Sequence, residues 1–136
     1  MRWWPLILVA LLAVATVAFA LSWYTPDEPH ENIRVAGGDA SRASAAIGQL
    51  GCGTCHTIPG IKSANGGAGP PLIRWSERSY IAGRLPNTPA NLVRWIRDPQ
   101  AIEPGTAMPD LGASEGQARD IAAYLYTLGD RERFDR

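Results

Sequence analysis

The chain is poor in the residues that usually stabilise a small exported domain. Its 136 residues include two cysteines, Cys52 and Cys55, three positions apart. Two such close cysteines cannot form the set of disulfides that supports many small secreted proteins. Beyond the initiating residue there is one methionine, Met108, and the chain has one lysine, Lys62. The folded chain therefore needs a source of stability other than disulfide bonds.

A net charge of one sign is also missing, because thirteen Lys and Arg balance thirteen Asp and Glu. Without an excess of positive charge, no nucleic-acid partner is expected. The charges are unevenly distributed, however. Residues 61–98 contain six basic and two acidic side chains, and acid-rich residues lie on both sides of them. This basic segment is a candidate surface for an acidic partner.

An uncharged, mostly apolar run extends from Leu6 to Tyr24. As a helix it would be roughly 28 Å long, close to the thickness of a hydrocarbon core. Aromatic residues lie at both of its ends, where interfacial aromatic belts occur. We therefore expect residues 1–24 to form a single-pass transmembrane anchor in contact with lipid. A cleaved signal peptide is the alternative, because residues 18–20 read Ala-Phe-Ala.

The rest of the chain divides into a tether and one domain. Residues 25–38 contain Pro and Gly without apolar periodicity, which is typical of a flexible tether. Residues 39–136 have the length of a single domain. Since the anchor would leave its short basic end in the cytoplasm, this domain is expected on the outer side of the membrane.

Three stretches of the domain carry helix signals, and each begins at a residue suited to cap a helix. The capping residues are Asp39, Thr88 and Ser114, the last in a Ser-x-x-Gln capping box. Apolar residues then recur at the spacing of one buried helix face, at Ala43, Ala46, Ile47 and Leu50, at Leu92, Trp95 and Ile96, and at Ala118, Ile121, Ala122, Leu125 and Leu128. No alternating run is long enough to build a sheet. We predict an all-α fold with three main helices.

Long loops rich in Gly and Pro separate these helices, as in residues 57–71. Three short helices with so much loop bury little apolar surface against one another. A conventional core would be marginal, so we expect a further group to occupy the centre of the domain.

The motif Cys52-Gly53-Thr54-Cys55-His56 has the C-x-x-C-H pattern of c-type haem attachment. Two thiols at this spacing can each bond one vinyl group on the same haem edge, and the adjacent imidazole can then bind the iron. A thioredoxin-type redox pair would require a βαβ pattern, and a zinc site would require further Cys or His ligands at suitable spacing. The motif therefore predicts one covalent haem c, held through Cys52 and Cys55, with His56 as an iron ligand.

The second iron ligand is predicted by elimination among Met, His and Lys. His30 lies in the tether, so ordering it over the haem would cost conformational entropy. Lys62 lies six residues after His56 and would have to lose its proton. Met108 lies in Pro104-Gly105-Thr106-Ala107-Met108-Pro109, where Pro and Gly permit a turn that brings the thioether to the opposite face of the haem. Met108 is therefore the predicted second ligand.

With these motifs the chain resembles the class I c-type cytochromes over about residues 37–129. The shared motifs are Cys52-x-x-Cys55-His56, Gly69-Pro70-Pro71-Leu72, Trp95-x-x-Asp98-Pro99, the Met108 motif above and Ala123-Tyr124-Leu125. The resemblance implies three helices wrapped around one haem, with Gly69, Pro70 and Trp95 beside it. It implies that the Pro70 carbonyl binds the free ring nitrogen of His56, that Trp95 packs on the haem from the Met108 side, and that Tyr124 and Leu125 cross the first helix near Gly48.

The expected function is single-electron transfer without turnover of a small-molecule substrate. Two filled axial positions leave no place for a substrate on the iron, and His/Met ligation raises the reduction potential. A bacterial inner-membrane carrier on the periplasmic side would take electrons from a quinol-oxidising complex and pass them to a haem-copper oxidase. A permanent haem subunit of a larger respiratory complex is the alternative, and a peroxidase-type enzyme with a displaceable Met108 is a third hypothesis.

The basic segment has two interpretations. Lys62 and five arginines, Arg74, Arg78, Arg84, Arg94 and Arg97, could form a docking face or neutralise the haem propionates. Alternatively they are solvated side chains that pair with Glu77 and Asp98. Trp75, Tyr80 and Arg84 are weaker candidates for contacts with the propionates.

Overall fold

The computed structural model describes residues 3–23 and 34–129. Contacts divide the chain into two units, residues 1–31 and 32–136, and each is described by itself. Most of the predicted tether lies outside the described residues, as do His30 and residues 130–136. The domain boundaries predicted after residues 24 and 38 stay predictions.

In the first unit the described residues 3–23 contain one helix, α1, which extends from Trp4 to Trp23. Large apolar side chains on all sides of α1 are exposed, among them Ile7, Leu12 and Leu21. None of the helices in the described residues has the length and apolar content that a membrane span requires. The predicted transmembrane anchor over residues 1–24 is therefore not supported by the structure.

Within residues 34–129 the regular secondary structure is mostly helical, as the sequence predicts. Five α-helices lie in this part of the chain: α2 (Ala43–Gln49), α3 (Cys52–Cys55), α4 (Pro89–Arg97), α5 (Pro99–Ile102) and α6 (Glu115–Leu125). Single 3-10 turns occur at Ala40–Arg42 and Trp75–Glu77. Helices α2, α4 and α6 are the three predicted main helices, and α6 packs against both of the others.

The three predicted helix starts are confirmed. The side chain of Asp39 accepts from the Ser41 N–H, although the turn that it caps is a 3-10 turn that leads into α2. Thr88 accepts from the Asn91 N–H, with a proline at the first position of α4. Ser114 and Gln117 form the complete capping box of α6. These local signals stabilise the helix ends because they satisfy backbone N–H groups that lack partners within the helix.

A small hairpin was not expected from the sequence. Strands β1 (Tyr80–Ile81) and β2 (Leu85–Pro86) pair antiparallel, with Ile81 opposite Leu85. The connecting residues Ala82 and Gly83 both have positive φ, at 49° and 70°. This backbone conformation allows the tight reversal, and two residues per strand are too few to show an alternating pattern in the sequence.

The core of the domain is larger than the three main helices alone would provide. Within the described residues nineteen hydrophobic side chains are buried, and several of them lie outside the five α-helices, namely Val35, Ile58, Ala64, Trp75, Ile81 and Ala113. Six of the nineteen are alanines, which contribute little apolar area each. The loops therefore add to the core, but the core is built in part from small side chains.

An ion pair joins the start of the domain to its last helix. The Arg42 guanidinium donates to both carboxylate oxygens of Asp120, from Nε at 2.9 Å and from Nη2 at 2.8 Å. The same carboxylate accepts from the backbone N–H of Asp39 at 2.8 Å. Asp120 is 7% exposed. These hydrogen bonds hold the pKa of the Asp120 carboxyl below its ordinary value of 3.8, and the bonds from Arg42 have the largest effect.

The depressed pKa makes a prediction about stability and pH. Asp120→Asn should lower the free energy of unfolding at neutral pH by about 1–2 kcal/mol. The expected loss is small because Arg42 is largely exposed, so solvent weakens its ion pair with Asp120. Since the folded state holds the proton less tightly than the unfolded state, the wild-type advantage is present above pH 3.8 and is lost as the pH falls further. Thermal unfolding followed by far-UV circular dichroism between pH 2 and pH 7 measures this.

Asp110→Asn is the control, because that exposed carboxylate accepts from the neighbouring Gly112 N–H rather than from an arginine. Equal losses of stability in the two variants would contradict the proposed importance of the Arg42 pair.

Candidate haem site

The C-x-x-C-H motif forms a single helical turn. Helix α3 begins after Gly51, whose φ of 68° turns the chain sharply between α2 and α3. The backbone N–H of His56 donates to the Cys52 carbonyl at 2.9 Å, so the histidine directly follows the turn that carries both cysteines. Both cysteines are free thiols; Cys52 is partly buried and Cys55 is exposed. Burial raises the pKa of the Cys52 thiol.

The imidazole of His56 is oriented by a backbone carbonyl. Its Nδ1 lies 2.8 Å from the Pro70 oxygen, which is the contact that the family resemblance implies. A carbonyl oxygen can only accept, so Nδ1 carries the proton and Nε2 keeps its lone pair. The neutral ring is therefore held in the tautomer that a metal ion requires.

Gly69 lies so close to His56 that a side chain has no room there. A Cβ built on Gly69 would lie 2.5 Å from His56 Cε1 and 2.7 Å from Nδ1. The backbone N–H of Gly69 also donates to the Cys55 carbonyl at 2.7 Å. Gly69 thus allows the backbone to pass against the ring and brings the Pro70 carbonyl within reach of Nδ1.

Other bonds tie the same loop to α3. The Gly66 N–H donates to the Gly53 carbonyl at 3.0 Å, and the Leu72 N–H donates to the Thr57 carbonyl at 2.8 Å. A Cβ on Gly66 would collide with the backbone of Thr54. The loop from residue 57 to residue 72 is therefore wrapped closely around the cysteine-bearing turn rather than hanging free.

Met108 lies in a loop whose shape depends on a residue that the sequence analysis did not identify. Met108 is partly buried and packs against the core. Gln100, on α5, donates from Nε2 to the carbonyls of Thr106 at 2.9 Å and Met108 at 2.8 Å. Its Oε1 accepts from the Gly105 N–H at 3.1 Å. A glutamine one residue after the Asp98-Pro99 helix start gives no recognisable signal in the sequence, since its partners are backbone atoms.

Trp95 and Tyr124 both contribute to the core of the domain, and the placements that the resemblance implies for them stay predictions. Trp95 is buried on α4. The Tyr124 hydroxyl donates to the Pro59 carbonyl at 2.6 Å, so it stabilises the loop after the C-x-x-C-H motif. A Cβ built on Gly48 would meet nothing within 4 Å, so the structure gives no close contact on that side of Gly48. The implied haem contact of Trp95 stays a prediction.

A second cluster surrounds Trp75. The guanidinium of Arg78 lies 5.0 Å from the centroid of the indole ring and also donates to the Pro71 and Ile73 carbonyls. The Asn87 side-chain amide donates to the backbone carbonyls of Trp75 and Arg78 at 3.0 and 2.9 Å. The Trp75 indole N–H is buried and has no hydrogen-bond partner within the described part of the chain.

The structure distinguishes between the arginines of the basic segment. Arg74 pairs with Glu77, and Arg84 pairs with Glu103. Arg78 is engaged with the backbone and Trp75, as described above. Arg97 lies 3.8 Å from Glu115, and Arg94 lies 3.4 Å from the Asn91 side chain, both longer contacts on exposed residues. Asp98 caps α5 through the Ala101 N–H. The segment is therefore partly an internal set of ion pairs, and Arg94 and Arg97 are its more available charges.

The comparisons with known proteins bear directly on this site. The sequence model of the family described as Cytochrome c matches residues 40–129, which include the C-x-x-C-H turn and Met108. The chain belongs to the cytochrome c family. Membership implies a covalently bound haem c and electron transfer.

Curated relatives of this cytochrome c are longer proteins. The chain is 36% identical over 103 residues to cytochrome c oxidase subunit 2 of Alkalihalophilus pseudofirmus, an alignment that covers 75% of the chain and 28% of that subunit. It is 29% identical over 92 residues to the subunit 2 of Bacillus sp. PS3, covering 65% of the chain and 26% of the relative. The corresponding Bacillus subtilis subunit is 27% identical over 92 residues, covering 66% and 26%. The chain thus spans about a quarter of the length of the relatives that it matches. No solved structure matches the chain.

The residues of the cytochrome c domain fit a haem. The thiols of Cys52 and Cys55 are free, and the lone pair of His56 Nε2 is available. The unpartnered Trp75 N–H fits a haem propionate, which would offer it a carboxylate acceptor in a buried position. Glu77 Oε1 is also buried, and among the residues that the structure describes it has no partner; as a carboxylate oxygen it would need a donor instead. Within the described residues, no group of three or more His, Cys, Asp and Glu side chains is arranged to hold a metal ion.

The contact between Gly69 and His56 makes a prediction. Gly69→Ala should displace the imidazole and lengthen its bond to the Pro70 carbonyl, because the new methyl group cannot occupy the same space as the ring. We expect a reduced yield of haem-containing protein and a shifted Soret absorption in the protein that does form, measured against total polypeptide.

Gly67→Ala is the matched control, since a Cβ there would meet nothing within 4 Å and its φ lies outside the left-handed region. If Gly69→Ala assembled as completely as Gly67→Ala and had the wild-type spectrum, the assigned role of Gly69 would be wrong.

Proposed function

We propose that this cytochrome c carries single electrons through one haem c, bound through Cys52 and Cys55 and ligated by His56 and Met108. The observation that carries the proposal is the 2.8 Å contact between His56 Nδ1 and the Pro70 oxygen. It sets the imidazole in the metal-binding tautomer immediately beside the two thiols. When bound, the haem supplies the iron that accepts and releases one electron.

The chain's own residues determine how favourable reduction is. A thioether is a soft ligand that stabilises ferrous iron relative to ferric iron, so Met108 would raise the reduction potential. Apolar surroundings act in the same direction, because they solvate the additional positive charge of the ferric state poorly. The buried side chains of Leu92, Trp95 and Ile96 on α4 would provide such surroundings for a haem packed against this helix. The proposed carrier therefore has a relatively high potential, with no exchangeable position for a small-molecule substrate.

A terminal haem-copper oxidase is the proposed electron acceptor. The similarity to three cytochrome c oxidase subunits supports this choice, although the chain spans only about a quarter of each of them. The proposed donor is a quinol-oxidising complex. Its reduction potential is lower than that of the proposed carrier, as electron transfer in this direction requires. Exposed Arg94 and Arg97 provide positive charge for docking on an acidic partner, which affects the association rate more than the affinity.

A permanent haem subunit of an oxidase complex is the second candidate. The relatives that favour it are themselves described as oxidase subunits. The two candidates share the same haem and ligands and differ in whether the domain exchanges partners. A bacterial inner-membrane location, with the haem domain on the periplasmic side, is part of the proposal and depends on the uncharged run before residue 25.

Reduced protein mixed with a purified haem-copper oxidase tests the proposed transfer. We expect oxidation of the haem, followed by stopped-flow absorbance, with a rate that falls several-fold between about 10 and 200 mM salt because charge screening weakens the approach of the two proteins. An Arg94→Gln/Arg97→Gln variant should be slower at low salt and less sensitive to salt. Arg34→Gln, at an exposed residue outside the basic segment, is the control for loss of positive charge elsewhere.

A rate that is the same at low and high salt would contradict the docking role of Arg94 and Arg97. An absence of haem from the purified chain, shown by a mass equal to that of the polypeptide alone, would contradict the whole proposal.

Membrane fractionation separates the carrier from the permanent subunit. We expect the protein to sediment with membranes, since the run from Leu6 to Tyr24 carries no charge over its nineteen positions. After solubilisation in mild detergent, a carrier should purify alone, whereas a subunit should purify with oxidase in a fixed ratio that survives high salt. Recovery of the full-length chain in the soluble fraction would rule out the anchor.

A further inference from the structure

The Met108 loop, defined here as residues 104–109, makes few hydrogen bonds. Within the described part of the chain four hydrogen bonds involve these residues, and three of them are with the side chain of Gln100. The fourth is a turn bond from the Thr106 N–H to the Glu103 carbonyl at 3.0 Å. The conformation of the loop therefore depends mainly on one amide side chain.

Gln100 is well placed to act as a fixed point for this loop. It belongs to α5, a single turn whose first residue, Pro99, is among the largest fully buried side chains. The Asp98 carboxylate accepts from the Ala101 N–H at 3.0 Å and caps the same turn. Because α5 follows α4 directly, the Gln100 amide is attached to the core rather than to a mobile surface.

The chemistry of the amide matches the loop on both sides. Its Nε2 has two N–H donors, and two loop carbonyls accept from it, those of Thr106 and Met108. Its Oε1 accepts from the Gly105 N–H, at a residue whose φ of 85° turns the loop. An amide is the side chain that can donate twice and accept once in this arrangement, whereas a carboxylate of the same size would place an oxygen against two carbonyl oxygens.

A thioether is a weak ligand for ferric iron, so the order of its loop affects its binding. Fixing each backbone residue costs conformational entropy, and for a loop that must be ordered on ligation this cost weakens the binding of the thioether. Because Gln100 already holds the loop, most of this conformational entropy is lost during folding and little more is lost when Met108 binds the iron. Other ligands then compete less effectively with Met108.

We infer that Gln100 is a positioning residue that holds the Met108 loop in its ligating conformation and so determines how strongly Met108 excludes other ligands from the ferric iron. This inference rests on the proposed His56/Met108 ligation. It assigns to Gln100 a role that acts through the loop backbone, without contact with the iron.

Competition by added imidazole tests this role on the haem-containing full-length chain. Gln100→Leu removes all three bonds and should raise the apparent affinity of the ferric protein for imidazole roughly tenfold. Gln100→Glu keeps the size and the acceptor for Gly105 but loses both donors, and it should have a similar effect. The far-red charge-transfer band of thioether-bound ferric iron should disappear at correspondingly lower imidazole concentrations.

Gln117→Leu is the matched control. The side-chain amide of Gln117 also forms a hydrogen bond with the backbone, since its Oε1 accepts from the Ser114 N–H at 3.0 Å. Its Nε2 donates to the Gln49 side chain at 3.1 Å. Gln117 lies on α6, outside the Met108 loop. This variant should lower the melting temperature and leave the imidazole affinity unchanged. That result, together with a raised affinity in both Gln100 variants, supports the inference.

Two results would overturn it. The first is an unchanged imidazole affinity in Gln100→Leu, or an increase that Gln117→Leu shares in proportion to its lost stability. The second is a Met108→Ala protein with the wild-type charge-transfer band and imidazole affinity, since Met108 would then not be the ligand. Failure to reduce an oxidase would instead count against the proposed function alone, because imidazole binding requires no partner protein.

Discussion

The hydrogen bond between His56 Nδ1 and the Pro70 carbonyl is the contact on which the site depends. It requires that the chain return to the C-x-x-C-H turn after fourteen residues, and Gly66 and Gly69 make that return possible because their backbone passes where a Cβ would collide. Tyr124 ties the same loop to α6 through the Pro59 carbonyl. The orientation of one imidazole is thus connected to the packing of the last helix.

The two sides of the proposed haem are supported in different ways. On the His56 side, backbone bonds hold a long loop directly against α3. On the Met108 side, one side chain, Gln100, makes most of the bonds. An electron carrier needs both of the proposed iron ligands, His56 and Met108, to stay in place during a change of one charge, and these two sets of bonds would serve that need.

Internal pairing changes the meaning of the basic segment. As a run of sequence it has a net charge of +4, which favours docking on an acidic partner. In the folded domain Arg74 and Arg84 are paired with carboxylates, and Arg78 stacks on Trp75. Summed charge along a chain therefore overstates the positive surface, because carboxylates distant in sequence, such as Glu103, fold against it.

Much of the fold could be predicted because its signals are local. A capping residue acts on the next three N–H groups, so Asp39, Thr88 and Ser114 are recognisable without knowledge of the rest of the chain. The β1–β2 hairpin could not be recognised in this way, since each strand has two residues. The burial of Ile58 and Ile81 could not be predicted either, because the burial of a residue outside the helices depends on which elements cover it in the folded chain.

The candidate site also combines features that are local in the sequence, which could be predicted, with features formed by distant segments, which could not. The residue types that bind haem, and the close spacing of Cys52, Cys55 and His56, are properties of a short segment and were apparent from the chain alone. The partnership of Gln100 with the Met108 loop, the unpartnered indole of Trp75 and the bond between Arg42 and Asp120 arise only when distant segments meet. Side chains that form hydrogen bonds with backbone atoms leave no pattern in the sequence, because every residue has the same carbonyl and nearly every residue has the same N–H. The tertiary fold alone decides which of these backbone groups lie within hydrogen-bonding distance of a given side chain.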